Sequence, residues 1–301
     1  MKKENDILET TLSIADRGYA EAYRFLLDAY EQEPDRYGPQ TLYFLSCLAG
    51  GAGLPEEALG WLRKSILEKG WWYRPEVLVD DDLAQLYGNS EFRSLKAISD
   101  ARDTDAVAQA RALFSWTNKT AGQLLLAVHG NTQNARTARE DWDPVLAGHD
   151  EWQLETIQSA EPDGYGTYRW SYDMVSYVPV ANAIEKVQNE GYQRIVCGGF
   201  SAGCDALLRA VAFTPARCDM LILLSPWIPV LQAHAESLLH ALQQKDIALL
   251  ILCGTEYEDC LPMAEQLYTA AEQAHLNVRF LVQDGNRHQF PAVSYALKSL
   301  L

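Results

Sequence analysis

From about residue 120 onward the chain alternates short, almost purely aliphatic runs with segments of helical period. Few folds accept that pattern. The strand candidates at 123–129, 152–158, 194–200, 220–224, 247–253 and 277–282 all carry Leu, Ile or Val, nearly without interruption at 123–129, 220–224 and 247–253. Strands that read this way are buried on both faces, as in a parallel sheet covered by crossover helices. Helical segments at 178–189, 202–213, 234–244 and 262–274 fall between them. The alternation predicts an α/β fold with a doubly wound, mostly parallel sheet, which binds ligands at the carboxyl ends of its strands. What lies just beyond each strand is therefore the functional question.

The first ~105 residues follow a different period. Apolar residues recur at helical spacing in Tyr23, Leu26, Leu27 and Tyr30, in Leu42, Leu45 and Leu48, and in Leu59, Leu62 and Ile66. Breakers separate these stripes at Glu33-Pro34, at Gly38-Pro39 and at Gly50-Gly51-Ala52-Gly53. No stretch of it alternates with period two, so residues 1–110 are expected to form a small all-α domain, followed by the α/β domain at residues 111–301. Within the first, Tyr43–Leu67 with Pro55-Glu56-Glu57-Ala58-Leu59 resembles a tetratricopeptide repeat, and the following Asp80-Asp81-Asp82-Leu83, Leu86, Glu91-Phe92 and Leu95 resemble the tail that often closes such repeats, about one and a half units in all. That resemblance implies docking of a protein partner or self-association through the helical domain. A helical accessory domain without a peptide ligand fits the same residues.

The 25 Lys and Arg against 41 Asp and Glu give a net charge of −16. Phosphate-rich partners need clustered cations, so nucleic acid and anionic membrane surfaces are disfavoured. No aliphatic run reaches the ~18 residues of a membrane span, and the Met1–Asp6 start leads into no apolar leader core. The six cysteines share no metal spacing and lie in apolar or helical stretches, as reduced thiols of a cytoplasmic protein would. The Asp80-Asp81-Asp82 run lacks the spaced oxygen ligands of a calcium loop and reads as a helix N-terminus.

Three strand ends carry chemistry. After the run at 194–197 comes Gly198-Gly199-Phe200-Ser201-Ala202-Gly203 and then a helical segment. This is Gly-x-Ser-x-Gly in a strand–turn–helix setting, where the serine hydroxyl is pushed above the sheet on a strained turn. Side chains at 199 and 203 would collide with strand and helix. The Ala202 N–H, opening the helix, points where an oxyanion would form. Earlier, the run at 124–128 ends in His129-Gly130-Asn131; the last run leads into Asp284-Gly285-Asn286-Arg287-His288.

Residues ~120–301 resemble the α/β-hydrolases, in particular the carboxylesterase, phospholipase and dienelactone-hydrolase-like group, with Ser before His in the chain order of that fold. The resemblance implies Ser201 as nucleophile, His288 as general base and then acid, and the N–H groups of Asn131 and Ala202 as the oxyanion hole. It implies hydrolysis of a small-molecule carboxylic ester, or a thioester, through an acyl-enzyme, with no cofactor and no metal. His129 reads as a structural hydrogen-bonding residue.

The triad acid departs from the group's Gly-x-x-Asp. Gly254-Thr255-Glu256-Tyr257-Glu258-Asp259 puts Tyr257 in the ungapped slot. One inserted residue brings Glu258 there, ranked ahead of Glu256 and then Asp259. A chain without a working acid would be a weak or inactive hydrolase fold acting as a binding module through its helical domain. The aromatic segment 163–173 and Ser225-Pro226-Trp227-Ile228-Pro229 are candidate rims of a substrate pocket.

Overall fold

Proline and glycine placement sets the frame of the N-terminal segment. The computed structural model describes residues 4–114, 116–256, 259–285 and 290. Contacts divide the chain into two units, residues 1–109 with 162–165, and residues 110–161 with 166–301.

The first unit is helical: α1 (Glu4–Ala15), α2 (Tyr19–Gln32), α3 (Pro39–Gly51), α4 (Pro55–Arg63) and α5 (Ser90–Gln109), with short 3₁₀ and π turns between α4 and α5. Pro39 and Pro55 open α3 and α4, where a missing N–H costs nothing. Leu26, Leu45, Leu62, Ile66 and Leu83 are fully buried in one core. The glycine-rich end of α3 has a steric reason: a Cβ on Gly50 would run into the Asp82 carbonyl. Asp80 caps the turn at 81–86 by accepting the Asp82 N–H at 2.9 Å, as a helix N-terminus should be capped. Residues 162–165 complete this unit. Gly164 bridges Tyr73, the Tyr165 N–H donates to the Trp72 carbonyl at 3.0 Å, and Arg74 Nε lies 2.7 Å from Asp163 Oδ1.

The remaining elements include β1 (Leu113–Phe114), β2 (Gln123–Val128), β3 (Trp152–Gln158), β4 (Glu161–Gly164, of which 162–164 are grouped with the first unit), β5 (Thr167–Arg169), β6 (Arg194–Phe200), β7 (Met220–Leu224), β8 (Ala248–Gly254) and β9 (Val278–Gln283). Seven form a sheet in the order β1-β3-β2-β6-β7-β8-β9, parallel except for β1. β4 and β5 pair separately. The helices are α6 (Ala135–Trp142), α7 (Met174–Gln188), α8 (Ala202–Phe213), α9 (Val230–Gln244) and α10 (Cys260–Gln273). Alternate residues of the central strands feed two cores. Leu124, Leu126 and Val128 face α7 to α10, while Leu125 and Ala127 face Trp142 of α6. This is the doubly wound arrangement expected from the aliphatic runs.

Several elements differ from expectation. α6 had no counterpart: its eight residues present only Ala138 and Trp142 as large or small apolar buried groups, too few to register as a helical period. Its start is fixed instead by Asn134, whose side chain accepts the Thr137 N–H at 2.8 Å. The aromatic stretch after β3, outside the expected strand runs, contains the β4–β5 hairpin. α7 begins at Met174 rather than 178, because Asp173 caps it and Pro179 is tolerated inside. α9 begins at Val230, with His234 off helical values at φ −141° and ψ 27°. All six cysteines are reduced and buried, and among the described residues no helix is long and apolar enough to cross a membrane.

Candidate active site

The register of the sheet brings the strand ends together. Val128 of β2 pairs with Gly199 of β6, and Phe200 pairs with Leu224 of β7. Just beyond them Ser201 has φ 51° and ψ −124°, a left-handed conformation that costs a non-glycine residue about 1–3 kcal/mol. Three hydrogen bonds hold it. The Ser201 N–H donates to the Leu224 carbonyl at 2.9 Å, and the Ser201 carbonyl accepts the N–H groups of Cys204 at 3.0 Å and Trp227 at 3.2 Å. The glycines around it are sterically required. A Cβ on Gly203 would strike the His129 carbonyl, one on Gly199 would sit 2.9 Å from Cys204 N, and one on Gly198 would enter the Trp142 ring.

Ala202 is the first residue of α8, whose opening N–H groups have no intrahelical acceptor. The second oxyanion candidate, Asn131, follows a close approach: a Cβ on Gly130 would lie 2.9 Å from Phe200 and 3.3 Å from Ser201 Cβ. Asn131 spends its side chain on structure, with Oδ1 accepting the Trp170 N–H at 2.8 Å. Gln133, unremarked in the sequence, fixes the same turn by accepting the Gly130 N–H at 2.8 Å. What this turn offers at the elbow is main chain.

His129 is fully enclosed, and burial lowers its pKa to about 4. Its Nε2 lies 3.2 Å from the Ser159 N–H, which can only donate, so the ring proton sits on Nδ1 and goes to the Gly130 carbonyl at 2.7 Å. The ring is a neutral brace between β2 and β3, in keeping with a structural role.

The turns after β8 and β9 are stitched to each other. The Thr255 N–H donates to the Gln283 carbonyl at 3.0 Å, and the Gly285 N–H donates to Thr255 Oγ1 at 3.0 Å. Glu256 Oε1 lies 3.9 Å from where a Gly285 Cβ would be. Asp259 is exposed just ahead of α10. Tyr257, Glu258 and His288 lie outside the described residues. Phe290 is described, and its ring lies 5.9 Å from Phe200 and 5.3 Å from Trp142.

Sequence reading passed over a charged pair on α8, Asp205 and Arg209, buried among apolar side chains. Its signal was an acid and a base at i, i+4 in an otherwise aliphatic helix. Among the described residues no three His, Cys, Asp or Glu side chains are grouped to hold a metal ion.

The sheet, its flanking helices and the strand–turn–helix at Ser201 have the α/β-hydrolase fold. Residues 3–107 match the family described as A/B hydrolase-like, N-terminal domain. It superposes on an uncharacterized protein from Bacillus cereus ATCC 10987 over 99% of this chain and 97% of that one, at 27% identity and a TM-score of 0.55. Esterase PE8 is similar in fold over 64% of this chain and 98% of its own, at 13% identity and a TM-score of 0.51. No curated protein matches the chain in sequence.

Proposed function

We propose that the protein is a serine hydrolase that cleaves carboxylic esters, thioesters included. The observation that carries this reading is Ser201 held at φ 51° between β6 and α8, with an unsubstituted glycine required on each side. A strained, triply hydrogen-bonded serine at this strand end has no evident packing role, and strain of this kind collects at functional sites. In the proposed reaction His288 takes the Ser201 hydroxyl proton as Oγ attacks the acyl carbon. The oxyanion is met by the N–H groups of Ala202 and Asn131, which need no reorganisation as charge develops. His288 then protonates the leaving alcohol or thiol, and in the second half-reaction removes a proton from the water that frees the acid. Glu258 is the proposed orienting acid and Glu256 the alternative; the bonds from the Thr255 turn to Gly285 support an acid on this loop.

A fluorophosphonate probe tests the reading. Wild type is expected to label once, at Ser201, and Ser201→Ala to lose both labelling and p-nitrophenyl ester turnover. A folded wild type that neither labels nor turns over ester would overturn it.

A further inference from the structure

Helix α8 is buried along most of its length, yet it carries the Asp205–Arg209 pair, which the triad does not use. The two residues are 1% and 8% exposed, one and two turns beyond Ser201. Arg209 Nε donates to Asp205 Oδ2 at 2.5 Å, and Asp205 Oδ1 accepts the Val230 N–H at 2.8 Å. A buried pair of this kind adds little net stability over apolar side chains of the same volume. Its contacts lead elsewhere.

The Arg209 guanidinium carbon lies 5.9 Å from the centre of the Tyr172 ring. The Tyr172 hydroxyl accepts the Trp227 indole N–H at 2.8 Å. The Trp227 backbone N–H in turn donates to the Ser201 carbonyl at 3.2 Å. The loop between β7 and α9 is thus clasped at two points, on Ser201 through Trp227 and on Asp205 through Val230. Between the clasps it presents a half-buried indole joined to a tyrosine that is 48% exposed.

We propose that Asp205 and Arg209 are positioning residues that set Tyr172 and Trp227 as an aromatic wall beside Ser201, and that this wall takes an uncharged, apolar acyl group. The proposal rests on Ser201 being the nucleophile. Asp205 cancels the charge of Arg209, so the wall offers ring faces and no net charge. An acyl chain laid on it gains about fourfold in affinity for each methylene removed from water, whereas a carboxylate-bearing chain would lose hydration and gain no ion pair from Arg209, which Asp205 already holds.

The test compares kcat and KM for p-nitrophenyl acetate and hexanoate in wild type, Tyr172→Ala and Arg209→Lys, each also treated with the fluorophosphonate probe. Tyr172 is exposed enough for its alanine variant to fold, and Arg209→Lys keeps a cation for Asp205 while losing the planar guanidinium beside the Tyr172 ring. Wild type should favour hexanoate. Both variants should still label at Ser201 and lose about tenfold in the hexanoate-to-acetate ratio of kcat/KM, with the loss in KM. An unchanged ratio in Tyr172→Ala overturns the wall. A changed ratio there with an unchanged one in Arg209→Lys overturns the positioning role, as does equal loss in kcat for both esters. A wild type that does not label overturns the nucleophile reading and the wall with it.

Discussion

The rings of Phe200 and Phe290 lie 5.9 Å apart, which ties the residue before the proposed nucleophile to the residue two beyond the proposed base. Trp142 closes the cluster edge-on to Phe290, at 5.3 Å and 80°. Removing the Phe290 ring withdraws the anchor nearest His288 in the chain. Phe290→Ala should therefore lower kcat for p-nitrophenyl esters and slow fluorophosphonate labelling, while costing about 2 kcal/mol in denaturant unfolding. Stability lost with labelling at the wild-type rate would show the contact to be packing alone.

The acid is decided by a set of three isosteric changes. Glu258→Gln should cut ester turnover by about 10⁴, the cost of losing the group that orients a catalytic histidine. Glu256→Gln and Asp259→Asn should cost far less. If Glu256→Gln carries the large loss, the acid is Glu256; small equal losses from all three would leave His288 without an acid from this loop.

The glycines of the elbow should respond differently to alanine. At Gly203 the obstacle is the His129 backbone carbonyl, which cannot be trimmed, and the variant should lose about 3 kcal/mol or more and its labelling. At Gly198 the obstacle is the Trp142 side chain, so Gly198→Ala should be partly restored by a second change, Trp142→Phe. Urea unfolding of the singles and the double forms the cycle. No recovery in the double would place the strain elsewhere.

His129 makes stability depend on pH. Its pKa is about 4 in the folded chain against an ordinary value of 6.5. Below pH 6.5 the unfolded chain gains a proton that the native ring refuses, so stability falls as pH drops from 6.5 toward 4 and the effect levels off below that. The full effect is about 3 kcal/mol. His129→Gln should flatten this part of the stability–pH curve; an unchanged slope would show that other groups cause it.

Much of the hydrolase unit was legible because burial on both faces leaves a signature that needs no neighbour. β3, β6, β7 and α8 fall where the aliphatic runs and the Gly-x-Ser-x-Gly turn put them. The helix α6 was not legible, since a short helix capped by Asn134 and anchored by Trp142 has almost no period of its own. The β4–β5 hairpin was also missed: residues 162–165, most of β4 and the start of its turn, are grouped by their contacts with Tyr73, Trp72 and Arg74, far away in sequence.

The site divides in the same way. Local sequence determined the elbow, because steric demands at Gly199 and Gly203 and the strand–turn–helix order act within a few residues of Ser201. It also determined that Asn131 and Ala202 follow strand ends, and that the acidic turn after β8 offers Glu256, Glu258 and Asp259. Only the tertiary structure decided what surrounds the serine. Arg209, held by Asp205, meets Tyr172, and Tyr172 meets Trp227, through three separate segments, and His129 becomes a neutral brace where β2 and the end of β3 come together. Such contacts depend on sheet register and desolvation, and neither is written in the residues that make them.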